Sequence, residues 1–262
     1  MEASKIIDVM NNALEEYMSS RISLRDLAKK YKMNRGTLSG FFLGRGVDIY
    51  SKKSAVNNYV FEKIETEEQA YWLGFLYADG CVSHYNSSKR IELALQEQDY
   101  EHLFKFSRFV DYGGEIKYRK NQAAYRICFG STKMYNDLVR LGCVENKSLI
   151  LKYPGIDVIS YELQRHFIRG YFDGDGCLSL TMRKDYTYRK TISILGTYEF
   201  LYGLVHLGLP FEVKNKCIKK CRDNDSNNYF IRFNKDDSAK FLDFIYKDAT
   251  VYLDRKYLKY LA

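Results

Sequence analysis

Two stretches of this chain are versions of one another, and that duplication restricts the available folds more than any other feature. Residues 71–82 read YWLGFLYADGCV and residues 167–178 read FIRGYFDGDGCL. Gly74 and Gly170, Asp79 and Asp175, Gly80 and Gly176, and Cys81 and Cys177 all share one offset of 96 residues. A single shared dipeptide could arise by chance, whereas an ordered series at one offset points to duplication. The chain is therefore expected to fold as two similar halves.

The flanking sequence extends the repeat. Each copy continues with a strand (81–84; 177–183), a second strand (90–95; 190–195) and a helix. Two more strands (115–120 and 125–129; 211–218 and 229–233) and a closing helix (131–142; 236–246) follow. Each half is then about 100 residues of α-β-β-α-β-β-α character, an α+β class.

The repeated segment reads as a helix that stops at Asp-Gly. Thr66, Glu67, Glu68 and Gln69 form a capping-box pattern, which predicts a first helix over 67–79. Gly80 and Gly176 are expected to close the two helices in the left-handed conformation. Gly74 with Ala78, and Gly170 with Gly174, lie four residues apart on one helix face. Each interior glycine costs about 1 kcal/mol of helix propensity. Close backbone approach would compensate, so the two helices should pack directly against each other.

Touching helices would bring Asp79 and Asp175 together at one end. Both would sit where the helix dipole is already negative, and they would repel. A divalent cation resolves that conflict, because Mg²⁺ takes oxygen ligands and paired acids hold it beside phosphate. Two or more such ions are expected, with Mn²⁺ or Ca²⁺ able to substitute in binding.

YWLGFLYADG and FIRGYFDGDG resemble the two signature helices of single-chain LAGLIDADG homing endonucleases, over roughly residues 60–262. The resemblance implies a pseudo-twofold pair of αββαββα repeats whose sheets form a β-saddle over duplex DNA. It implies metal binding by Asp79 and Asp175, with ligands also from the carbonyls of Ala78 and Gly174. Tyr77 replaces the family's first acid in copy one, whereas Asp173 keeps it in copy two. NKSLILKYP (146–154) and YLDRKYLKY (252–260) resemble the segments after each half's last helix, where family members often carry a lysine near the metals. Lys147 and Lys256 are therefore the candidate catalytic lysines, with Gln96 a weaker candidate.

Strand alternation supplies a DNA-reading surface. Arg90 and Glu92 oppose Ile91 and Leu93, and Lys117 and Arg119 oppose Ile116 and Tyr118. In the second copy Thr191 and Ser193 oppose Ile192 and Ile194, while Lys214 and Lys216 share one face. Arg126 and Arg232 occupy equivalent last-strand positions. Such side chains suit base edges in the major groove, although a merely solvated face would alternate in the same way.

Ahead of the repeats, Ile6, Ile7, Met10, Leu14 and Tyr17 follow helical spacing. A second helix is expected to start at Ser23 as N-cap, and a third at Asn34, with Leu38, Phe41 and Phe42 inward. ISLRDLAKKYKMNRGTLSG (22–40) resembles a resolvase-type helix-turn-helix. That resemblance places Arg35, Thr37 and Ser39 against bases, and Arg45, Lys52 and Lys53 against phosphates. A small bundle with a solvated basic face would read alike. Residues 1–58 hold ten Lys and Arg against six Asp and Glu, half of the chain's net charge of +8. The expected domains are 1–46 for the helix-turn-helix, 47–60 for a linker, and 61–156 and 157–262 for the two repeats.

The 262 residues suffice for a substantial core, and 46% hydrophobic content excludes wholesale disorder. No stretch approaches the roughly 18 apolar residues of a membrane span, so a soluble, cytoplasmic protein with access to DNA is expected. The six cysteines form no CxxC pair; Cys217 and Cys221 lack a nearby histidine, so free thiols are expected rather than zinc.

The main expectation is a monomeric, metal-dependent, site-specific endonuclease acting on double-stranded DNA with a long asymmetric site. A catalytically silent DNA-binding regulator and an intron RNA maturase on the same scaffold remain as alternatives. An intein is not expected, because the chain begins with Met1 and ends Tyr-Leu-Ala.

Overall fold

Two sheets with one topology carry the duplication into three dimensions. The computed structural model describes residues 3–19, 22, 24–47, 56–85, 88–186, 188–213, 218–221, 227–233 and 235–262. The chain divides into a unit of Met1–Asn57 with Asp111–Glu115 and a larger unit of Asn58–Val110 and Ile116–Ala262.

The N-terminal unit contains α1 (Ala3–Ser19), α2 (Leu24–Lys30) and α3 (Arg35–Leu43). Their apolar stripes meet in one core of Ala13, Tyr17, Leu24, Leu27, Ala28, Leu38 and Phe42, with Phe41 packed at its edge. Asn34 caps α3, its side-chain oxygen accepting the Gly36 N–H at 2.7 Å. Ser23, the expected cap of α2, lies outside the described residues. The turn between α2 and α3 runs through Lys32 at φ 52°. Its N–H bonds to Lys29 O at 3.2 Å and that of Met33 to Ala28 O at 2.9 Å, closing α2. A left-handed residue past a helix end is usually glycine.

The first repeat of the larger unit runs α4 (Glu67–Ala78), β1 (Gly80–Tyr85), β2 (Ser88–Gln96), α5 (Tyr100–Phe109), β3 (Lys117–Arg119), β4 (Ala124–Gly130) and α6 (Thr132–Arg140), followed by a single turn, α7 (Lys147–Ile150). The second runs α8 (Gln164–Asp175), β5 (Gly176–Met182), β6 (Tyr188–Gly196), α9 (Tyr198–Gly203), β7 (Lys219–Lys220), β8 (Tyr229–Phe233) and α10 (Lys235–Tyr246), followed by α11 (Asp254–Leu261). The sheets are four-stranded and antiparallel, ordered β1-β2-β4-β3 and β5-β6-β8-β7. This is the expected pair of αββαββα repeats after an all-α region.

The capping box at Thr66 is formed: Gln69 N–H donates to Thr66 Oγ1 at 3.2 Å, and Gln69 Oε1 accepts the Thr66 N–H at 3.1 Å. The helix it opens is buried all round, with every residue from Ala70 to Tyr77 shielded from solvent. Behind each sheet lies a core led by Ile91, Leu93, Ile127 and Phe129 in one half and Ile192, Ile194, Ile231 and Phe233 in the other.

Two local expectations are corrected. Gly80 and Gly176 do not take left-handed backbone; Gly176 sits at φ −86°, ψ 150°, and Gly80 is absent from the positive-φ glycines. Glycine is required there for clearance, since a Cβ on Gly80 would lie 2.6 Å from Leu76 Cδ2 and 2.7 Å from Leu76 O. The left-handed glycine in this unit is Gly142 at φ 94°, which ends α6 at Arg140, two residues earlier than expected. Among the described residues, the third strand of the second half is Lys219–Lys220, where 211–218 is expected from the sequence; 214–217 lie outside the described residues. Phe211 packs edge-on to Phe244 with ring centroids 6.0 Å apart, and Val213 is buried, so these side chains anchor a coil rather than alternate along a strand.

Candidate active site at the paired helix ends

Four small residues set the site. A Cβ on Gly74 would lie 2.9 Å from Phe167 C and 3.0 Å from Tyr171 N, with Phe167 O nearer still. A Cβ on Gly170 would lie 2.8 Å from both Tyr71 C and Phe75 N, with Tyr71 O nearer still. Phe167 and Tyr171 are the repeat counterparts of Tyr71 and Phe75, so the contact is reciprocal. The backbones of α4 and α8 touch, as the glycine spacing predicts. One turn on, Gly174 faces Ala78, and a Cβ there would stand 3.2 Å from Asp79 Oδ2. Asp79 is the C-cap of α4 and Asp175 the last residue of α8.

The two acids feel each other. Burial, and next the Asp175 charge, push the Asp79 carboxyl up to about 6, while Lys147 and Lys256 pull the other way. Burial also raises Asp175, opposed by the same two lysines and by Tyr171. The halves differ here. The Tyr171 hydroxyl donates to Leu195 O at 2.9 Å and lies within reach of Asp175, whereas its counterpart Phe75 offers Asp79 nothing.

Lys147 and Lys256 occupy matching places, each feeding protons to the carbonyls that end a central helix. Lys147 Nζ donates to Leu76 O at 3.2 Å, Tyr77 O at 2.7 Å and Ala78 O. Lys256 Nζ donates to Phe172 O at 2.6 Å, Asp173 O at 2.8 Å, Gly174 O at 3.5 Å and Gly176 O. A buried ammonium against helix-end carbonyls offsets the negative dipole end that the aspartates aggravate. Burial lowers both lysines, Lys256 to about 8. The carbonyls of Ala78 and Gly174, expected as metal ligands, thus already accept from lysine. Gln96 stands elsewhere, exposed at the end of β2 and accepting from Gln98 at 3.0 Å.

The donor set can be tested against a divalent cation. Among the described residues, neither aspartate has an ion-pair partner, and no side chain donates to Asp79. Two carboxylates this close and without an ion-pair partner suit a hard cation, which would relieve their repulsion. No group of three or more His, Cys, Asp and Glu gathers anywhere among the described residues, so water and substrate oxygens would complete any coordination shell.

Sequence reasoning missed two supporting groups. Asp173, fully buried, accepts from Tyr71 Oη at 2.8 Å, Tyr246 Oη at 2.5 Å and Leu253 N at 2.8 Å. It ties α8 to α4, to α10 and to the segment leading into α11. Tyr77, its counterpart, donates to Leu141 O just past α6, so in that half a neutral hydroxyl makes one tie to the closing helix in place of the three bonds of Asp173. Arg169, with no exposed surface, bonds Glu67 at 2.6 Å and the carbonyls of Ile245 and Val251, each at 2.8 Å. An arginine on a helix that also carries Gly170 and Asp175 was the available signal.

The strand faces come out as expected. In the first sheet, register puts Arg90, Glu92, Lys117, Arg119 and Arg126 on the face opposite the core. Glu92 pairs with both Arg119 and Arg126 at 3.1 Å, holding two guanidinium groups side by side. In the second sheet Thr191, Ser193 and Arg232 share the outward face. Lys214 and Lys216 lie outside the described residues. In the N-terminal unit Arg35 and Thr37 are exposed, Ser39 is half-buried, and the Arg45 guanidinium stacks 3.5 Å over Phe41. Lys52 and Lys53 lie outside the described residues. The described cysteines are all free; Cys217 lies outside them.

A doubled αββαββα unit, with an acid at the end of each of two touching helices, defines a distinct class of protein. Residues 162–246, within the second repeat, match the family model described as a LAGLIDADG-like domain. The structure of I-WcaI bound to its DNA recognition sequence is similar to this chain, with a TM-score of 0.52 at 15% identity over 74% of this chain and 87% of that one. I-SmaMI bound to uncleaveable DNA gives a TM-score of 0.48 at 15% identity, over 76% and 87%. I-AabMI bound to uncleaved DNA gives 0.47 at 13%, over 71% and 85%. The probable translation initiation factor IF-2 of Methanocaldococcus jannaschii is 30% identical over 169 residues, 61% of this chain. The chain spans only 13% of the length of that curated relative. The larger unit therefore has the two-repeat LAGLIDADG fold. Among the described residues no helix is long and apolar enough to cross a membrane.

Proposed function

We propose that this chain is a site-specific homing endonuclease that hydrolyses one phosphodiester bond in each strand of duplex DNA. The observation that carries the reading is the pair Asp79 and Asp175, set side by side by helices whose backbones touch. When bound at these carboxylates, a divalent cation, Mg²⁺ first among candidates, supplies Lewis acidity and an acidified water. Asp79 and Asp175 would hold it, and each would serve one strand. Lys147 and Lys256 lock the helix ends and place positive charge beside a phosphate that gains charge during attack.

One chain supplies both acids, so a monomer suffices, and the outward strand faces supply side chains for the major groove. I-WcaI, with the same fold, binds a DNA recognition sequence. Residues 1–46 act as a helix-turn-helix domain joined through 47–60 to repeats at 61–156 and 157–262, extending the footprint by effective concentration. Such a protein works inside the cell, where DNA is accessible.

The test is cleavage of a randomised plasmid library with Mg²⁺, recovering linearised sites. Wild type should give discrete double-strand cuts, while Asp79→Asn and Asp175→Asn should each give only nicked circles at the recovered site. Undiminished linearisation by the double variant would sink the proposal.

A further inference from the structure

The N-terminal unit holds a groove of which only Arg35 has been given a role so far. Arg25 and Lys29, one turn apart on α2, Lys32 in the turn and Arg35 opening α3 line an open groove of about 580 Å³, floored by Ala28, Met33 and Asn34. All four cations are exposed. Among the described residues none of them has an ion-pair partner, whereas the neighbouring Lys30 pairs with Glu16 at 2.6 Å. Four positive charges on one concave surface repel one another unless an anion occupies it. Lys32 adds an independent sign: it stands in left-handed backbone at φ 52°, a position where glycine would be strain-free. A long cationic side chain is held there against the backbone's preference.

We infer that this groove seats the sugar–phosphate backbone of duplex DNA, with Arg25, Lys29, Lys32 and Arg35 each meeting phosphate. The inference rests on the DNA reading given above and revises it in one respect, since Arg35 serves phosphate rather than base. Phosphate contacts fix register and orientation without reading sequence, so the groove sets how α3 is presented.

The experiment uses the full chain and a fluorescently labelled 40-base-pair mixed-sequence duplex, without divalent metal, titrated across salt concentrations. Replacing Arg25, Lys29, Lys32 and Arg35 together by Gln should flatten the slope of log affinity against log salt by about 3 to 4, at roughly 0.9 per phosphate contact. Lys32→Gly alone should flatten it by about 0.9 and weaken binding about eightfold at 0.1 M salt, while the melting temperature stays level or rises. That opposition of signs separates a ligand contact from a structural one. Lys240→Gln with Lys247→Gln, on α10 and just past its end, should leave the slope unchanged. An unchanged slope in the fourfold variant overturns this inference alone, and so does tighter binding to single-stranded RNA of equal length. Absence of any duplex binding by wild type overturns the endonuclease reading with it.

Discussion

Gly74→Ala adds one methyl group at the crossing of α4 and α8, and its consequence can be worked from the backbone contact. The new Cβ would fall 2.9 Å from Phe167 C and 3.0 Å from Tyr171 N, with Phe167 O closer, so no rotamer change can relieve it. The helices must separate by about an ångström, and a gap of that size forfeits a quarter to a half of the dispersion well for each affected pair. Overpacking costs about 1–3 kcal/mol when side chains can yield; with backbone on both sides, the upper end or beyond applies. Helix propensity returns about 1 kcal/mol. The net loss is about 2–3 kcal/mol, a fall of roughly 4–12 °C in melting temperature for a unit of this size. Gly40→Ala is the internal control, because it lies within α3 and a Cβ there meets nothing within 4 Å. It should hold or raise stability by up to about 1 kcal/mol. Calorimetry of both variants decides the matter; Gly74→Ala unfolding at or above the wild-type temperature would refute the backbone contact.

Other consequences follow from the same geometry. Folded Asp79 keeps its proton to about pH 6 against an ordinary 3.8, so the folded state binds the extra proton between those values. Its contribution is full below about pH 4 and is lost as pH rises to about 6; in metal-free urea titrations the wild-type curve should fall relative to Asp79→Asn across that window. Millimolar Mg²⁺ at pH 7 should raise the melting temperature of wild type and leave the double Asp79→Asn, Asp175→Asn variant unmoved, as scanning calorimetry would show. Lys256→Met should cost about 3–5 kcal/mol, because it strips a buried charge from Asp173 and the helix-end carbonyls. Lys147→Met should cost less, since Lys147 is only half-buried and has no carboxylate like Asp173 beside it; equal losses in denaturant melts would contradict this ranking. Arg169→Met should destabilise by about 3–5 kcal/mol through the orphaned Glu67, and a loss below 1 kcal/mol would show the network to be dispensable.

Periodicity and small-residue spacing carried most of the architecture. Gly74 and Gly170 announced a helix crossing because glycine inside a buried helix is costly without a neighbour that needs the space. Thr66 and Gln69 announced a helix start because both partners of that hydrogen bond lie three residues apart. Contacts across long separations were not legible in the same way. Tyr71 and Asp173 stand 102 residues apart, as do Glu67 and Arg169, and no local pattern marks either pair. The lysines were found through resemblance of their flanking segments, but their carbonyl partners emerged only with the coordinates. Gly80 and Gly176 were misjudged for a general reason: sequence shows that a side chain is unwelcome without showing whether dihedral angle or clearance forbids it. The short strand at Lys219–Lys220 failed similarly, because Phe211 and Val213 look alike whether they line a sheet or pin a coil.

The meeting of α4 and α8 through glycine has a consequence for how such a protein can diverge. The gap between Asp79 and Asp175 is a main-chain dimension, set by carbonyl and amide atoms that every amino acid shares. Side chains elsewhere on either repeat can be exchanged without altering that gap. The outward strand faces can therefore drift in sequence while the spacing of the acids stays fixed.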